Sequence, residues 1–396
     1  MKRKINLFPF IIIAALFILL NWYLLSGILV LSTNQLIIPL FWVSVAVIII
    51  TFIYAIRRVA TSGMDLFFKI STHFVLILLT AEFVFAIILL LGDGYRLFSG
   101  GLRNLYWVEF AFLLFSLTVV LFIYGMIFGK YKYRVIKHVL FFEDLPEEFD
   151  GFTIAQISDV HAGSFNNPAA VKRGVNLINK QKADLFVFTG DLVNNKAEEI
   201  KPWIDTFSQI KAPYGQYSIL GNHDYGDYVS WTSPEDKVAN LDQLKKYHAD
   251  LGFTLMLDTH VELKKGNQHI TLAGVENWGV GFGERGDLKK AINGVDPADF
   301  KVLLSHDPTH WENQVKTWVS KIHLTLSGHT HGMQFGLEAF GIKWSPVKYR
   351  YPHWAGVKEE NGRVLNINRG FGFLGFSGRI GIWPEITILE LRKKKG

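Results

Sequence analysis

Residues 153–161 read Thr153-Ile154-Ala155-Gln156-Ile157-Ser158-Asp159-Val160-His161, a short apolar run that stops at a carboxylate and an imidazole two positions apart. Such a run, rich in β-branched and large apolar side chains and closed by polar punctuation, reads as a buried strand. The pattern returns four times. Leu185 to Thr189 leads into Gly190-Asp191, Tyr217 to Leu220 into Gly221-Asn222-His223-Asp224, Val302 to Ser305 into His306, and Leu324 to Ser327 into Gly328-His329-Thr330-His331. Ligands of open sheets bind outside the carboxyl ends of the strands, so five polar clusters that each leave a strand there can converge on one crevice.

Each cluster alone is ambiguous. Asp159 and His161 can both reach one ion from a strand end, and Gly190 lets the chain turn sharply and bring Asp191 close. The Asn222 oxygen can coordinate without adding charge, while His223 beside it can address a substrate. His329 and His331 suit two adjacent ions or one ion and a bridging group, and His306 adds one more nitrogen. Neutral imidazoles with two carboxylates and an amide suit zinc, iron or manganese, whereas all-oxygen magnesium or calcium sites would not use four histidines.

Between the clusters the signals alternate. Pro168 to Gln181 has helical apolar spacing, and Ser233-Pro234-Glu235-Asp236 opens a helix to about Ala249. Val261 to Leu263 and Ile270 to Val275 flank a turn and read as a hairpin, and Glu385 to Leu391 reads as a final strand. The expectation is an α/β layered domain with some antiparallel pairing, over residues 139–396.

The front of the chain is different. The mean hydropathy of +0.21 over 396 residues is concentrated before residue 130. Residues 5–31, 36–56, 66–91 and 105–128 are each long and apolar enough to cross a bilayer, so residues 1–138 read as a transmembrane anchor of four helices. The first stretch is too long, and too closely followed by a second, for a cleaved signal. Lys2, Arg3, Lys4, Arg57, Arg58, Lys69, Lys130, Lys132, Arg134 and Lys137 fall on one side and only Arg96 and Arg103 on the other. The positive-inside rule then puts both termini and the domain in the cytoplasm, with the chain integral to an inner or plasma membrane. Much of the net charge of +6 lies at the membrane edge and in the tail, so no nucleic-acid partner is expected. The lack of cysteine fits a reducing compartment without demanding one. Within the spans His73 and Glu82 are the notable ionisable residues; Glu82 is expected to face the bundle, with anchoring as the default role.

The ordered set of clusters resembles the calcineurin-like metallophosphoesterase superfamily, whose motifs run Asp-x-His, Gly-Asp, Gly-Asn-His-Asp/Glu, a lone His, and Gly-His-x-His. The phrases Ser158-Asp159-Val160-His161, Leu304-Ser305-His306-Asp307-Pro308, Gly328-His329-Thr330-His331-Gly332 and Asn368-Arg369-Gly370 are similar to its membrane-anchored bacterial-type branch. The resemblance implies a calcineurin-like sandwich of two mixed β-sheets flanked by helices. It further implies two divalent ions, one on Asp159, His161 and His331 and the other on Asn222, His306 and His329, with Asp191 bridging and His223 facing the scissile phosphate. Protein Ser/Thr phosphatases extend the second motif with Asp-Arg-Gly; here the chain reads Asp191-Leu192-Val193-Asn194-Asn195-Lys196, which counts against that branch. Met333 stands where close relatives often have glycine, a change expected at the pocket wall.

Substrate signals are thinner. Arg369 to Trp383 is rich in Gly and Phe with Arg369 and Arg379 inside it, which reads either as a mobile apolar lip with two substrate-binding guanidiniums or as packed turns. Tyr225, Tyr228 and Trp231 are pocket-wall aromatics or ordinary packing. His138, His248, His260, His269, His310 and His353 lack a partner at ligand spacing, His323 reads as a sheet residue, and His310 and Trp311 could line the cleft rim. The leading function is a membrane-anchored dinuclear-metal phosphoesterase cleaving a phosphoester or pyrophosphate, on a lipid-linked substrate such as a UDP-diacylglucosamine-type precursor or a phospholipid. The alternatives are a tethered phosphodiesterase acting on a soluble nucleotide, and a non-catalytic metal-stabilised sensor or scaffold.

Overall fold

The computed structural model describes residues 8–63 and 65–394; Lys2, Arg3, Lys4 and Lys395 lie outside them. The chain splits into two compact units, residues 1–124 and 125–396. The first is made of helices α1 (Phe8–Leu31), α2 (Ile37–Ser62), α3 (Leu66–Ser99) and α4 (Leu105–Ile127), each carrying an apolar window long enough to span a bilayer. Leu24, Phe85, Ala86, Leu89, Val108 and Ala111 pack together inside it. Gly92 permits a close crossing, because a Cβ there would lie 2.6 Å from the Trp107 ring. Glu82 is turned inward and 7% exposed. The third helix runs to Ser99, past the expected end at 91, and so takes in Asp93. That carboxylate accepts from Arg103 Nε at 2.8 Å and from the Tyr23 hydroxyl at 2.7 Å, an arrangement the sequence did not signal.

The second unit is built on two six-stranded mixed sheets. One has the order β1 (Arg134–Phe142), β16 (Glu385–Lys393), β2 (Thr153–Ile157), β3 (Leu185–Thr189), β4 (Gln216–Ile219), β5 (Thr254–Leu255). The other runs β14 (Gly356–Glu360), β15 (Arg363–Ile367), β11 (Leu324–Ser327), β10 (Lys301–Leu304), β7 (Gln268–Gly274), β6 (Thr259–Lys265). Two ribbons, β8 (Trp278–Gly279) with β9 (Gly283–Glu284) and β12 (Leu337–Ala339) with β13 (Ile342–Trp344), stand beside them. The α/β layered domain expected from the apolar runs is therefore present, and so is the sandwich of two mixed sheets that the resemblance implies.

Period-two alternation decides the layers. Leu185 and Val187 of β3 meet Val302 and Leu304 of β10 in the core between the sheets, while Phe186 and Phe188 face outward. The outer face of the first sheet is covered by helix α5 (Pro168–Lys180) through Val171, Val175 and Ile178. Its start is fixed by Asn167, whose side chain accepts from Ala170 N, and by Pro168 in the first turn. The outer face of the second sheet is covered by Trp311 and Val315 over Leu303 and Leu365. Strands β2, β3 and β4 are mutually parallel, as are β10 and β11, so the five polar clusters leave their strands at carboxyl ends.

One boundary moves. The strand β1 begins at Arg134 rather than near residue 139, so Arg134 and Lys137 are sheet residues and not loop cations. Lys130 is also drawn in, 7% exposed and 5.0 Å from the Phe373 ring centroid. Parallel pairing with the long final strand β16 recruits this stretch, a tertiary effect that local polarity does not reveal.

Candidate metal centre

The chain turns hard at the ends of these strands. Asp159, His161, Asp191, His329 and His331 all have φ between 46° and 69°, and they are five of eleven non-glycine residues in the left-handed region among the described residues. Such backbone costs on the order of 1–3 kcal/mol per residue and persists only where its surroundings determine it. Here they do. Asp159 N donates to Gly190 O at 2.9 Å, His161 N to Asp191 O at 3.1 Å, Gly328 N to His306 O at 2.9 Å, and His329 N to Asp159 Oδ2 at 3.0 Å. Glycine is required where loops close on each other: a Cβ on Gly190 (φ 94°) would sit 2.6 Å from Gly221 N and 2.8 Å from His306 Nδ1.

Asp224, part of the third cluster but given no role above, organises two of these loops. Its carboxylate accepts from Asp191 N at 3.0 Å, Leu192 N at 2.8 Å, Val193 N at 3.2 Å and Gly221 N at 2.8 Å. Complete burial and then the charge of Asp191 push its carboxyl up to about 7, against four N–H bonds that favour the charged form.

Two donor sets result. In the first, His161 Nε2 and His331 Nε2 approach to 3.0 Å, and His331 Nε2 is 3.2 Å from Asp159 Oδ1. In the second, His329 Nδ1 lies 3.3 Å from His306 Nε2 and 2.9 Å from Asn222 Oδ1. Asp191 Oδ2 stands between them, 3.5 Å from His161 Nε2 and 3.3 Å from His306 Nε2. The ligating atoms of Asp159, His161 and His331, and of Asp191, His306 and His329, each fall within 4.8 Å of one another. Four imidazoles, two carboxylates and an amide oxygen crowded at this spacing are the donor types that divalent transition ions take, so the residues present fit such ions.

Contacts outside these sets orient the rings. His306 Nδ1 donates to Thr189 O at 2.7 Å, which leaves Nε2 to the site. His329 Nε2 contacts the Tyr351 hydroxyl at 2.9 Å and Asp307 Oδ2 at 3.3 Å, which leaves Nδ1 inward. His223 Nδ1 donates to Asn194 O at 2.8 Å, its backbone N–H donates to Asp191 Oδ1 at 2.9 Å, and its ring lies 4.4 Å from that of Tyr228. The charges are mutually supporting. Burial favours a neutral His306, but the adjacent Asp191 prevails and lifts it to about 10; burial would likewise raise Asp159, yet His331 holds it well below the ordinary carboxylate range. His161 goes the other way, lowered chiefly by burial.

Of the two readings of Arg369 to Trp383, packed turns describe its first part, residues 369–373, which are buried. Phe371 and Phe373 are 0% and 1% exposed, and Phe371 N and Gly372 N donate to Ser158 O and Asp159 O at 2.7 and 2.8 Å. Both guanidiniums assigned to substrate are engaged within the protein. Arg379, fully buried, donates to the carbonyls of Gly372 and Arg369 at 2.7 and 2.8 Å; Arg369 pairs with Glu385 at 2.5 Å and Glu338 at 2.7 Å. His310 and Trp311, read as cleft rim, are core: His310 contacts Ser305 Oγ at 2.8 Å and both are fully buried. Tyr225 is buried and donates to Glu276 at 2.8 Å, whereas Tyr228 accepts from Asn222 Nδ2 at 2.8 Å beside the site. Met333 is 60% exposed. Asp307 and Asp224 each adjoin a histidine in the sequence and could have been flagged; Tyr351 carries no sequence signal.

Residues 5–130 match the family described as "Probable Calcineurin-like phosphoesterase, transmembrane domain", and residues 152–333 match "Calcineurin-like phosphoesterase". The chain is 28% identical over 272 residues, 68% of its length and 89% of the relative, to the uncharacterized metallophosphoesterase YkuE of Bacillus subtilis. It is 27% identical over 290 residues to a transmembrane protein with metallophosphoesterase domain of Danio rerio, covering 70% of this chain and 61% of that one. It is also 28% identical over 230 residues to the UDP-2,3-diacylglucosamine pyrophosphatase LpxG of Chlamydia muridarum, covering 49% and 68%. Two family matches in tandem, over a fold that gathers two histidine–aspartate groups, place this chain among the calcineurin-like metallophosphoesterases, as a membrane-anchored enzyme of that family.

Proposed function

We propose that this enzyme hydrolyses a phosphoester or pyrophosphate bond of a lipid-linked substrate at the cytoplasmic face of its membrane. Asp159, His161 and His331 would hold one divalent ion, Asn222, His306 and His329 the other, and Asp191 both; manganese, zinc and iron suit the set. The observation that carries this reading is the position of Asp191 Oδ2 within 3.5 Å of nitrogens from both sets. Such ions, when bound, supply Lewis acidity toward the phosphoryl group and an acidified water. The protein's own part is orientation and proton delivery. With Nδ1 tied to Asn194 O, His223 presents Nε2, and as an imidazolium it donates to a phosphoryl oxygen or protonates the leaving oxygen, worth roughly 10² to 10⁴ in rate.

Four spanning helices keep the domain at a bilayer, and one relative is named for a diacylglucosamine pyrophosphatase, which together favour a lipid-linked substrate over a soluble nucleotide. The test uses the full chain in detergent with manganese or zinc. It should hydrolyse a chromogenic phosphodiester, and Asp191→Asn and His223→Ala should each reduce turnover by at least about 10²; an undiminished His223→Ala enzyme removes the proton-donor role. Turnover on diacyl pyrophosphates in mixed micelles should exceed that on short-chain or nucleotide analogues, and equal rates would favour the soluble-nucleotide alternative. For sidedness, the cysteine-free chain accepts a single label: Lys264→Cys should react with an impermeant maleimide in inverted vesicles and not in intact cells.

A further inference from the structure

The ribbon formed by β12 and β13 has its polarity reversed. In a hairpin lying on a soluble domain, apolar residues face the protein and charged ones face water. Here Glu338 and Lys343, directly opposite each other in the register, share the face that engages the domain, although the Lys343 side chain stays exposed along its length. Glu338 is 12% exposed and accepts from Arg369 at 2.7 Å, and Lys343 Nζ donates to the Ala355 carbonyl. The outward residues are apolar: Leu337 is 44% and Ile342 52% exposed.

The tip accentuates this. Phe340 and Gly341 form a two-residue turn with φ of 54° and 78°, the type I′ geometry, whose first position favours Asn, Asp or Gly. A phenylalanine there bears backbone strain, and its ring is completely exposed. Just beyond, Tyr349 is 78% exposed and Lys348 and Arg350 are exposed, neither cation in an ion pair among the described residues. An apolar tip, followed in the chain by an exposed tyrosine and these two exposed cations, Arg350 also lying 4.8 Å from the Phe282 ring centroid, is the composition of a surface that enters a headgroup layer. The ribbon is also spliced into the site, between His331 and Tyr351, and pinned by Ser345 Oγ donating to Gly332 O at 2.7 Å.

We propose that this ribbon is a bilayer-contact element, with Phe340 inserted among lipids and Lys348 and Arg350 on anionic headgroups. The occupant is argued from the reversed polarity, the complementary charge and the four spans that keep a bilayer within reach. The proposal goes beyond the choice of substrate and does not depend on it.

The test uses the full chain in nanodiscs. Phe340→Cys, labelled with an environment-sensitive fluorophore in the otherwise cysteine-free chain, should be blue-shifted and quenched by doxyl lipids at least about twofold more than the same label on Lys264→Cys, whose native side chain is 74% exposed. Exchanging phosphatidylglycerol for phosphatidylcholine should weaken the quenching, as should Lys348→Glu with Arg350→Glu. Equal quenching at the two positions overturns the proposal, and so does a blue shift without doxyl quenching, which would put protein over the tip. Unaltered hydrogen-exchange protection of residues 337–344 between anionic nanodiscs and detergent would overturn it without any substitution. Because these readouts report lipid contact and not turnover, their failure leaves the substrate question where enzymology puts it.

Discussion

His329 has both ring nitrogens occupied by different tasks, Nδ1 toward Asn222 and His306, Nε2 toward Tyr351 and Asp307. An acceptor on the outer nitrogen fixes the tautomer and raises the basicity of the inner one. Asp307→Asn should therefore weaken binding of one of two ions by roughly 10- to 100-fold, seen as a split in a calorimetric metal titration, with Tyr351→Phe milder. Two ions still binding with wild-type affinity would mean the contact is only packing. A second residue-scale consequence concerns acid. His248 is completely buried, meets Ser218 Oγ at 2.9 Å, and burial lowers it to about 3. A depressed histidine supports the fold fully above its ordinary value near 6.5 and loses that support as pH falls toward 3, so about 2 kcal/mol should be gone by pH 5. Burial takes His310 and His323 the same way, each to about 4. His248→Gln, which cannot titrate, should lose less Tm than the parent between pH 7 and pH 5; equal losses would assign the acid sensitivity elsewhere.

At the scale of elements, the turns after the strands matter more than the strands. Gly190→Ala meets Gly221 N and His306 Nδ1 at a φ of 94°, whereas Gly375→Ala, at φ 69°, meets nothing within 4 Å. The first should destabilise by about 3 kcal/mol and the second by about 1 kcal/mol, the backbone penalty alone, which comparative thermal unfolding would distinguish; similar losses would deny the loop contact its importance. The strands themselves were legible because a strand buried on both faces is a continuous apolar run, as in Leu185 to Thr189. The clusters were legible because each follows such a run directly. What lay beyond reading was long-range. The pairing that draws Arg134 into β1 comes from β16, at the other end of the chain, and Tyr351 reaches His329 across 22 residues of ribbon and turn. Arg369 and Arg379 elude the sequence for a related reason: a guanidinium in a Gly-rich stretch looks free until the groups that receive it are known, here the carboxylates of Glu338 and Glu385 for Arg369 and the carbonyls of Arg369 and Gly372 for Arg379.

At the scale of the whole molecule, the left-handed backbone at Asp159, His161, Asp191, His329 and His331 has a bearing on the order of assembly. An unfolded chain visits that region at such residues only a few per cent of the time, so requiring several at once makes a competent site vanishingly rare before the sheets exist. Their carriers are also far apart: the first donor set joins positions 170 residues distant. The expected order therefore puts ion capture late, after both sheets have closed. Bound ions would then clamp the last loops to settle, by mass action on the folded state. Adding chelator to the loaded protein should lower its Tm, metal should not bind in denaturant, and tight binding by the unfolded chain would refute this order.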